Sequence, residues 1–272
     1  MCKSCDTFHF VNTFHFVTSR AAMCPHVSIL AGVIELSLQG RGPSRAFVFD
    51  PHRLALPCWA LATEGRPALV VSLDRHFDTV PPTAPPPPGW TAAHYDEHAR
   101  TKLNPRNTDH LLAAMEAGLV TDALLFARAH PVGSVSGPAW TDSRGGTHEL
   151  LTTALVDTVA AHFGTDRASP EGRRAQLLLA RAERVLLDVD LDCFTSPSDA
   201  DPTTVIPWPE DVIDAHVLPR GSEAFWDAVL SKCVALTFAR EPGHCGGLIA
   251  SGRLFEAASR VLFQRLLRTD LP

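Results

Sequence analysis

The sequence predicts an α/β fold in three layers, with helices on both faces of a mostly parallel central sheet. Apolar segments of strand length alternate with helical segments along most of the chain, which is typical of this architecture. Two apolar segments, at 68–73 and 185–187, run directly into clusters of acidic residues. Acidic residues at the carboxyl ends of buried parallel strands indicate a functional site at that edge of the sheet.

The predicted elements cover residues 27–272, which we interpret as a single domain. The pattern is strand-like from residue 27 onward, and buried strands are expected at 46–49, 68–73, 122–129 and 234–239, with a further one leading into the second acidic cluster. Helices are expected at 54–63, 107–119, 148–163, 170–183 and 251–267. The segment 81–89 contains six prolines and is predicted to be a stiff, exposed loop that lines the site.

Residues 1–26 form an N-terminal extension to which the sequence assigns no structure. The pentapeptide TFHFV at 7–11 recurs at 13–17, and its alternation is typical of a hairpin or an edge strand. Cys2, Cys5 and His9 could form half of a zinc site. Because no second Cys-x-x-Cys pair completes that site, a flexible terminus with incidental cysteines is the favoured interpretation.

Composition argues against several classes of protein, including nucleic-acid-binding, disulfide-rich and membrane-spanning proteins. The 272 residues carry a net charge of −6 and are 45% hydrophobic and 20% charged, so non-specific nucleic-acid binding is not expected. The seven cysteines are scattered, which favours reduced thiols over a disulfide framework. No apolar stretch reaches the ~20 residues of a membrane span, and no signal-peptide pattern is present. A cytoplasmic protein without a membrane partner is expected; its oligomeric state is not predicted.

The acidic clusters predict a metal centre. The first cluster places Asp74, His76 and Asp78 at alternate positions, and the second contains Asp188, Asp190 and Asp192. Alternate positions on a strand share a face, and carboxylates gathered at one place coexist only with cations between them or when some are protonated. Carboxylate and imidazole donors without a thiolate favour Mn²⁺, with Fe²⁺ as the second choice, and the ligands suffice for two ions.

Other catalytic machinery is not indicated. The sequence contains no GxSxG, P-loop or GxGxxG motif. Cys193, beside the second cluster, is expected to be a small packing residue rather than a nucleophile.

The two acidic motifs resemble those of the arginase/deacetylase superfamily, whose ureohydrolase branch binds two Mn²⁺ ions. Three further segments, at 50–56 followed by Trp59, at 107–110 and at 187–194, look like the arginase-like family that includes the peptide arginases of ribosomal-peptide biosynthesis. The resemblance covers roughly 46–244. It implies an arginase/deacetylase-like fold and a hydrolase that converts arginine side chains of a precursor peptide to ornithine and urea, by attack of a metal-bridging hydroxide on the guanidinium carbon.

The resemblance also implies a role for each motif residue. The metal ligands would be His52, Asp74, His76, Asp78, Asp188 and Asp190. Asp74 and Asp188 would serve both ions, whereas the other ligands would bind one ion each. Apart from the resemblance, Asp192 could orient a ligand rather than be a ligand itself.

The catalytic roles that the resemblance implies fall on four residues. Asp78 or a nearby histidine would handle the proton, and Glu241 would pair with the guanidinium, which needs a planar bidentate partner. His110 would position the substrate or simply occupy the first turn of a helix. His244, in a glycine-rich loop, would be a proton shuttle or an exposed turn residue.

The sequence departs from arginases of free arginine. His52 follows Asp50 and Pro51 instead of lying in a Gly-Gly-Asp-His-Ser segment, and the loops that hold a free amino acid's α-groups have no counterpart. This favours a substrate whose α-groups are in peptide bonds. Alternatives are a small-molecule ureohydrolase or amidohydrolase, of agmatinase, formiminoglutamase or single-zinc deacetylase type, and a non-catalytic binding module.

Overall fold

The computed structural model describes residues 30–129, 133–135, 137–201 and 204–269. The N-terminal repeat, Cys2, Cys5 and His9 lie outside these ranges. Within them, no helix has the length and apolarity that a membrane crossing requires.

The centre of the described structure is one eight-stranded sheet. Its strands are β1 (Val33–Ser37), β2 (Arg45–Phe49), β3 (Ala68–Leu73), β4 (Val120–Phe126), β5 (Ala139–Thr141), β6 (Thr147–Thr153), β7 (Val185–Asp190) and β10 (Cys233–Ala239). The order across the sheet is β1-β2-β10-β7-β3-β4-β6-β5. The six inner strands are parallel, and β1 and β5 pair antiparallel at the two edges. A separate small hairpin joins β8 (Thr195–Pro197) to β9 (Val205–Pro207).

Helices cover both faces of the sheet, as the alternation of elements predicts. One face carries α1 (Ala55–Thr63), α2 (Ala92–Thr101) and α3 (His110–Glu116), and the other carries α4 (Val156–Ala160), α5 (Pro170–Arg181), α6 (Glu210–Val217), α7 (Glu223–Leu230) and α8 (Leu248–Ser259), which continues as a π-helix over Arg260–Leu266. Each face has its own buried apolar cluster. The predicted three-layer, mostly parallel architecture is confirmed.

Side chains along the inner strands alternate between these two clusters. In β3, Leu69 and Val71 belong to the cluster under α4–α8, whereas Val70 belongs to the cluster under α1–α3. In β7, Leu187 belongs to the first of these clusters and Leu186 to the second. Because the period of a strand is two, Asp188 shares the face of Leu186 and is directed toward α1.

Most predicted elements occur, with two corrections. The expected helix at 148–163 is wrong: Thr147–Thr153 forms β6, paired in parallel with β4, and only Val156–Ala160 is helical. The expected helix at 107–119 is shortened to His110–Glu116, because Asn107 has a left-handed backbone with φ of 60°. The proline segment 81–89 contains no helix or strand, in agreement with the prediction.

Candidate metal centre

The candidate site lies where four neighbouring strands end at the same edge of the sheet. His52 follows β2, Asp74 follows β3, Asp190 closes β7 and Glu241 follows β10. These strands are contiguous in the order β2-β10-β7-β3. Parallel strands present their carboxyl ends together, so residues as far apart in the chain as 52 and 241 meet at one place.

The first acidic motif lies beyond its strand rather than on it. β3 ends at Leu73, and Asp78 has a left-handed backbone with φ of 45°. The expectation that Asp74, His76 and Asp78 project from one face of a strand is therefore wrong in detail. The three residues form a loop in which Asp74 accepts a hydrogen bond of 2.7 Å from the backbone N–H of His76, and this loop still turns the motif toward the second cluster.

One group of potential ligands surrounds the imidazole of His52. Its Nδ1 lies 3.2 Å from Asp190 Oδ2, 3.3 Å from Asp78 Oδ2 and 3.5 Å from Asp74 Oδ2. His52 is 1% exposed, and its Nδ1 forms no hydrogen bond with the described residues despite these close approaches. We call these four residues the deep cage.

A second group lies nearer the solvent and shares Asp74 with the first. His76 Nδ1 lies 3.1 Å from Asp192 Oδ2 and 3.8 Å from Asp74 Oδ1. Asp192 is fully buried, and its Oδ2 makes no hydrogen bond within the described part of the chain. We call Asp74, His76 and Asp192 the outer cage.

The two cages fit divalent cations. Ligand atoms ~2.1 Å from an ion stand roughly 3.0–3.5 Å from one another in octahedral or tetrahedral geometry. Four of the five N–O distances in the cages fall between 3.1 and 3.5 Å. Burying polar atoms close together without a hydrogen bond costs free energy unless a further partner lies between them. A cation can be that partner, because it binds both a nitrogen lone pair and carboxylate oxygens.

Asp188 has different surroundings. Its Oδ2 contacts His52 Nε2 at 2.8 Å and accepts a hydrogen bond of 3.1 Å from Ser72 Oγ. Its Oδ1 accepts a hydrogen bond of 2.6 Å from Thr237 Oγ1, which in turn accepts one of 3.1 Å from Trp59 Nε1.

The protonation equilibria of the cluster reflect its concentration of charge. Burial, and then the neighbouring carboxylates, raise the pKa values of Asp74 and Asp190 well above their ordinary range. Burial alone lowers the pKa of His52, but Asp188 and Asp190 outweigh it, so the pKa lies well above its ordinary value. Burial also raises the pKa of Asp192, yet the adjacent His76 outweighs this and leaves it lowered. Without a cation, such a cluster must hold protons.

His110 lies behind His52 rather than at the entrance of the site. The two rings are 4.1 Å apart, and Trp59 packs 5.5 Å from His110 on another side. The carbonyl of Asn107 lies 2.9 Å from His110 Nδ1 and can only accept, so Nδ1 carries the hydrogen. Burial, followed by the charge of His52, lowers the pKa of His110 to about 4, so this imidazole is neutral at pH 7. A catalytic role for His110 stays a prediction.

The carboxylate of Glu241 is held beside His52 by two hydrogen bonds. Its Oε1 accepts hydrogen bonds from the backbone N–H of His52, at 3.0 Å, and from Asn107 Nδ2. Its Oε2 lies 3.9 Å from His244 Nε2. Burial disfavours the charged form of this carboxylate and so raises its pKa. A cationic group beside Oε2 would stabilise the charged form.

The opening of the site is marked by two histidines. The side chains of His76 and His244 are 31% and 49% exposed, and their rings stand edge to face 6.4 Å apart. The predicted residues His52, Asp74, His76, Asp78, Asp188 and Asp190 are thus brought together, with His110 behind them, Glu241 beside them and His244 at the rim.

Sequence analysis missed three supporting residues. Ser72 and Thr237 are buried hydroxyls that flank Asp188, and the Asn107 side chain holds Glu241. A signal was present for the hydroxyls, since each is the polar residue of an otherwise apolar strand segment. A hydroxyl in such a segment requires a buried partner.

Comparison with known proteins gives a match among solved structures. No family model matches the chain, and no curated protein matches it. A search of solved structures aligns it with the arginase from Bacillus caldovelox, at 18% sequence identity and a TM-score of 0.41 over 79% of this chain. The alignment covers 64% of that arginase, so the chain spans less than two thirds of its length.

Proposed function

We propose that this protein is a dinuclear manganese hydrolase that converts arginine side chains in a ribosomally made precursor peptide to ornithine, with release of urea. The observation that carries the proposal is the pair of cages that share Asp74. Each contains a buried polar atom, His52 Nδ1 in one and Asp192 Oδ2 in the other, that approaches charged neighbours without a hydrogen bond. Two ions held by a shared carboxylate fit this arrangement.

The donor set supports manganese. The cages offer only carboxylate oxygens and imidazole nitrogens, which suit Mn²⁺. Burial raises the pKa of the nearby Cys193 and Cys245 thiols, so these sulfurs remain protonated and do not compete as ligands.

The residues around the cages suit hydrolysis of a guanidinium. When bound, two such ions lower the pKa of water, so that a nucleophile is available near neutral pH. Glu241 Oε2 is the oxygen left over when Oε1 holds His52 and Asn107, and it supports binding of a guanidinium N–H. Water adds to the guanidinium carbon, the bond to the side-chain nitrogen breaks, and this nitrogen takes a proton, which the half-exposed imidazole of His244 at the rim can supply.

Two exposed apolar residues that follow the His244 loop support an extended substrate. Leu248 and Ile249 are 77% and 76% exposed and follow the glycine-rich loop that carries His244. Exposed apolar residues beside a site can contact the residues that flank a modified arginine. A small guanidino compound would not need them.

The first experiment is metal analysis of the wild-type protein loaded with Mn²⁺ and freed of excess ion. We expect about two manganese ions per chain, and loss of both in Asp74→Ala because this carboxylate is common to the two cages. Asp190→Ala should lose at least the ion of the deep cage. Asp211→Ala, an exposed aspartate on α6, is the matched control and should keep both ions. A single zinc ion or no metal would contradict the proposal.

The second experiment is mass spectrometry of arginine-containing peptides incubated with the loaded protein. Conversion to ornithine lowers the mass by about 42 Da for each modified residue, the difference expected from hydrolytic removal of urea. Turnover of free arginine or agmatine instead would favour the small-molecule ureohydrolases, and deacetylation would favour the amidohydrolases. Stoichiometric metal without hydrolysis across this panel would favour a binding module.

A further inference from the structure

We propose that Asp188 is a positioning residue that holds the ring of His52 from behind, and that Asp192 takes the ligand place that the sequence resemblance implies for Asp188. The inference rests on the proposed function only in requiring a metal centre. Asp188, Asp190 and Asp192, at alternate positions in the chain, then have two different tasks.

Asp188 is enclosed by donors that its own sheet supplies. In the register of the strands, Ser72 on β3 and Thr237 on β10 are the direct neighbours of Asp188 on β7. Both hydroxyls donate to it, one to each oxygen. The third partner is His52 Nε2 at 2.8 Å. A carboxylate that is 1% exposed and already has three partners is satisfied without an ion.

The depth of Asp188 in the sheet agrees with this role. Asp190 pairs with Ala239, the last residue of β10, whereas Asp188 pairs with Thr237, two positions earlier. Two residues of strand correspond to about 6.6 Å, so the Asp188 backbone lies that far below the edge where the loops with Asp74, Asp78 and Glu241 begin.

The contact with Asp188 determines which nitrogen of His52 faces the cage. A carboxylate at hydrogen-bond distance from Nε2 keeps the hydrogen on that nitrogen, so Nδ1 presents its lone pair to Asp74, Asp78 and Asp190. The distances separate the two sides of the ring: 2.8 Å to Asp188 is a hydrogen bond, whereas 3.2–3.5 Å to the three cage oxygens is the spacing of atoms around an ion. Carboxylates that orient a ligating histidine in this way also increase its basicity.

Asp192 has the opposite arrangement, with one oxygen held and the other directed at the outer cage. Its Oδ1 accepts a hydrogen bond of 3.2 Å from the backbone N–H of Arg75. Its Oδ2 lies 3.1 Å from His76 Nδ1 and makes no hydrogen bond with any described residue. Asp192 follows the end of β7 in a 3-10 turn over Leu191–Phe194, which returns its carboxylate to the loop of the first motif.

The test compares Asp188→Asn with Asp192→Asn, which are matched in shape and in the charge removed. In Asp188→Asn, the oxygen of the new amide can still accept from His52, and its nitrogen can donate to a hydroxyl. This variant should therefore bind two Mn²⁺ ions at saturation with ~10–100-fold weaker affinity. The Asp192→Asn variant should bind one ion at saturation. Electron paramagnetic resonance should show spin-coupled manganese in the first variant and an isolated ion in the second. Circular dichroism checks that both variants fold.

Thr237→Val provides an independent check because it removes a donor to Asp188 without touching a cage. We expect two ions at saturation and a several-fold loss of affinity. The result that would overturn this inference is two ions in the wild type and in Asp192→Asn but one ion in Asp188→Asn. That result would leave the proposed function intact. Wild-type protein that binds no manganese would instead overturn the proposed function.

Discussion

Asn107 connects the predicted substrate-binding carboxylate to a residue outside the metal centre. Its Nδ2 donates to Glu241 Oε1, and its Oδ1 accepts a hydrogen bond of 2.8 Å from Arg53 Nη1. The left-handed backbone at Asn107 places the side chain there, and asparagine tolerates this conformation better than most residues. The amide therefore determines which Glu241 oxygen remains for a substrate.

Asn107→Asp should weaken substrate binding without removing metal. The change replaces a donor to Glu241 with a second buried carboxylate, and the repulsion should displace Glu241 from the position that a guanidinium requires. We expect KM for an arginine peptide to rise by at least ~10-fold, the loss of about one charge-assisted hydrogen bond, with a smaller change in kcat and about two manganese ions retained. Asn104→Asp, on the same loop, is the control. An unchanged KM would show that Asn107 does not position Glu241.

At the level of elements, the sequence predicted where the acidic motifs lie but not which aspartates are ligands and which one positions a ligand. The runs before Asp74 and Asp188 are apolar at consecutive positions, which identifies inner strands buried on both faces. Asp188, Asp190 and Asp192 share a spacing, so periodicity treats them alike. The difference arises where β7 ends, and that depends on the lengths of the neighbouring strands rather than on a local signal.

The segment 148–163 shows why the helix prediction failed there. Residues of β6 have helix-forming types, including Glu149, Leu150 and Leu151, and propensity is a weak guide when a neighbouring strand supplies hydrogen bonds. Here β4 pairs with β6 over four residues, from Ala123 with Leu150 to Phe126 with Thr153. Leu151 enters one apolar cluster and Leu150 the other, the burial expected of an inner strand.

Helix α6 carries a histidine whose protonation should weaken the fold in acid. His216 packs 5.4 Å from the Trp208 ring and 6.4 Å from the Phe194 ring, and burial, followed by the charge of Arg128, lowers its pKa to about 4. The unfolded chain therefore binds a proton at this position between pH ~6.5 and 4 that the folded chain does not bind. Stability is lost as the pH falls through this window, by up to about 3 kcal/mol.

Replacement of His216 tests this contribution. His216→Gln should be less stable than the wild type at pH 7.5, because the ring packing is lost, and the difference in free energy of unfolding should shrink or reverse at pH 4.5. Urea denaturation at the two pH values measures it. A difference that is the same at both would show that His216 titrates normally in the folded protein.

At the scale of the whole molecule, the three-layer architecture was predictable and the assembly of the site was predictable only in part. Alternation of strands and helices is a property of the entire chain and survives the errors at single elements. The neighbours of each strand end are not encoded locally: β7 lies between β3 and β10, so Asp188 meets hydroxyls 116 and 49 residues away. Only the resemblance of the motifs suggested that His52 belongs with them.

Removal of metal should destabilise the whole molecule, and more so at alkaline than at mildly acidic pH. Without ions, burial and mutual repulsion raise the pKa values of Asp74 and Asp190, and the surrounding carboxylates raise that of His52 against the effect of burial. The folded, metal-free protein thus binds more protons than the unfolded chain, so its stability is present at low pH and is lost as the pH rises through the raised pKa values. The lowered pKa values of Asp188 and Asp192 contribute no change above pH ~5.

Bound cations replace these protons, and the stability of the loaded protein should depend less on pH in the same range. At a free Mn²⁺ concentration of ~100 times Kd, binding adds about 2.7 kcal/mol, and proton competition reduces this at lower pH because ligands must be deprotonated. We therefore expect the difference in Tm between loaded and chelator-treated protein to be larger at pH 8 than at pH 6. Asp74→Ala should show no response to Mn²⁺ at either pH. A metal-dependent shift of equal size at both values would mean that protons and cations do not compete for these carboxylates, and that the cages are not where the ions bind.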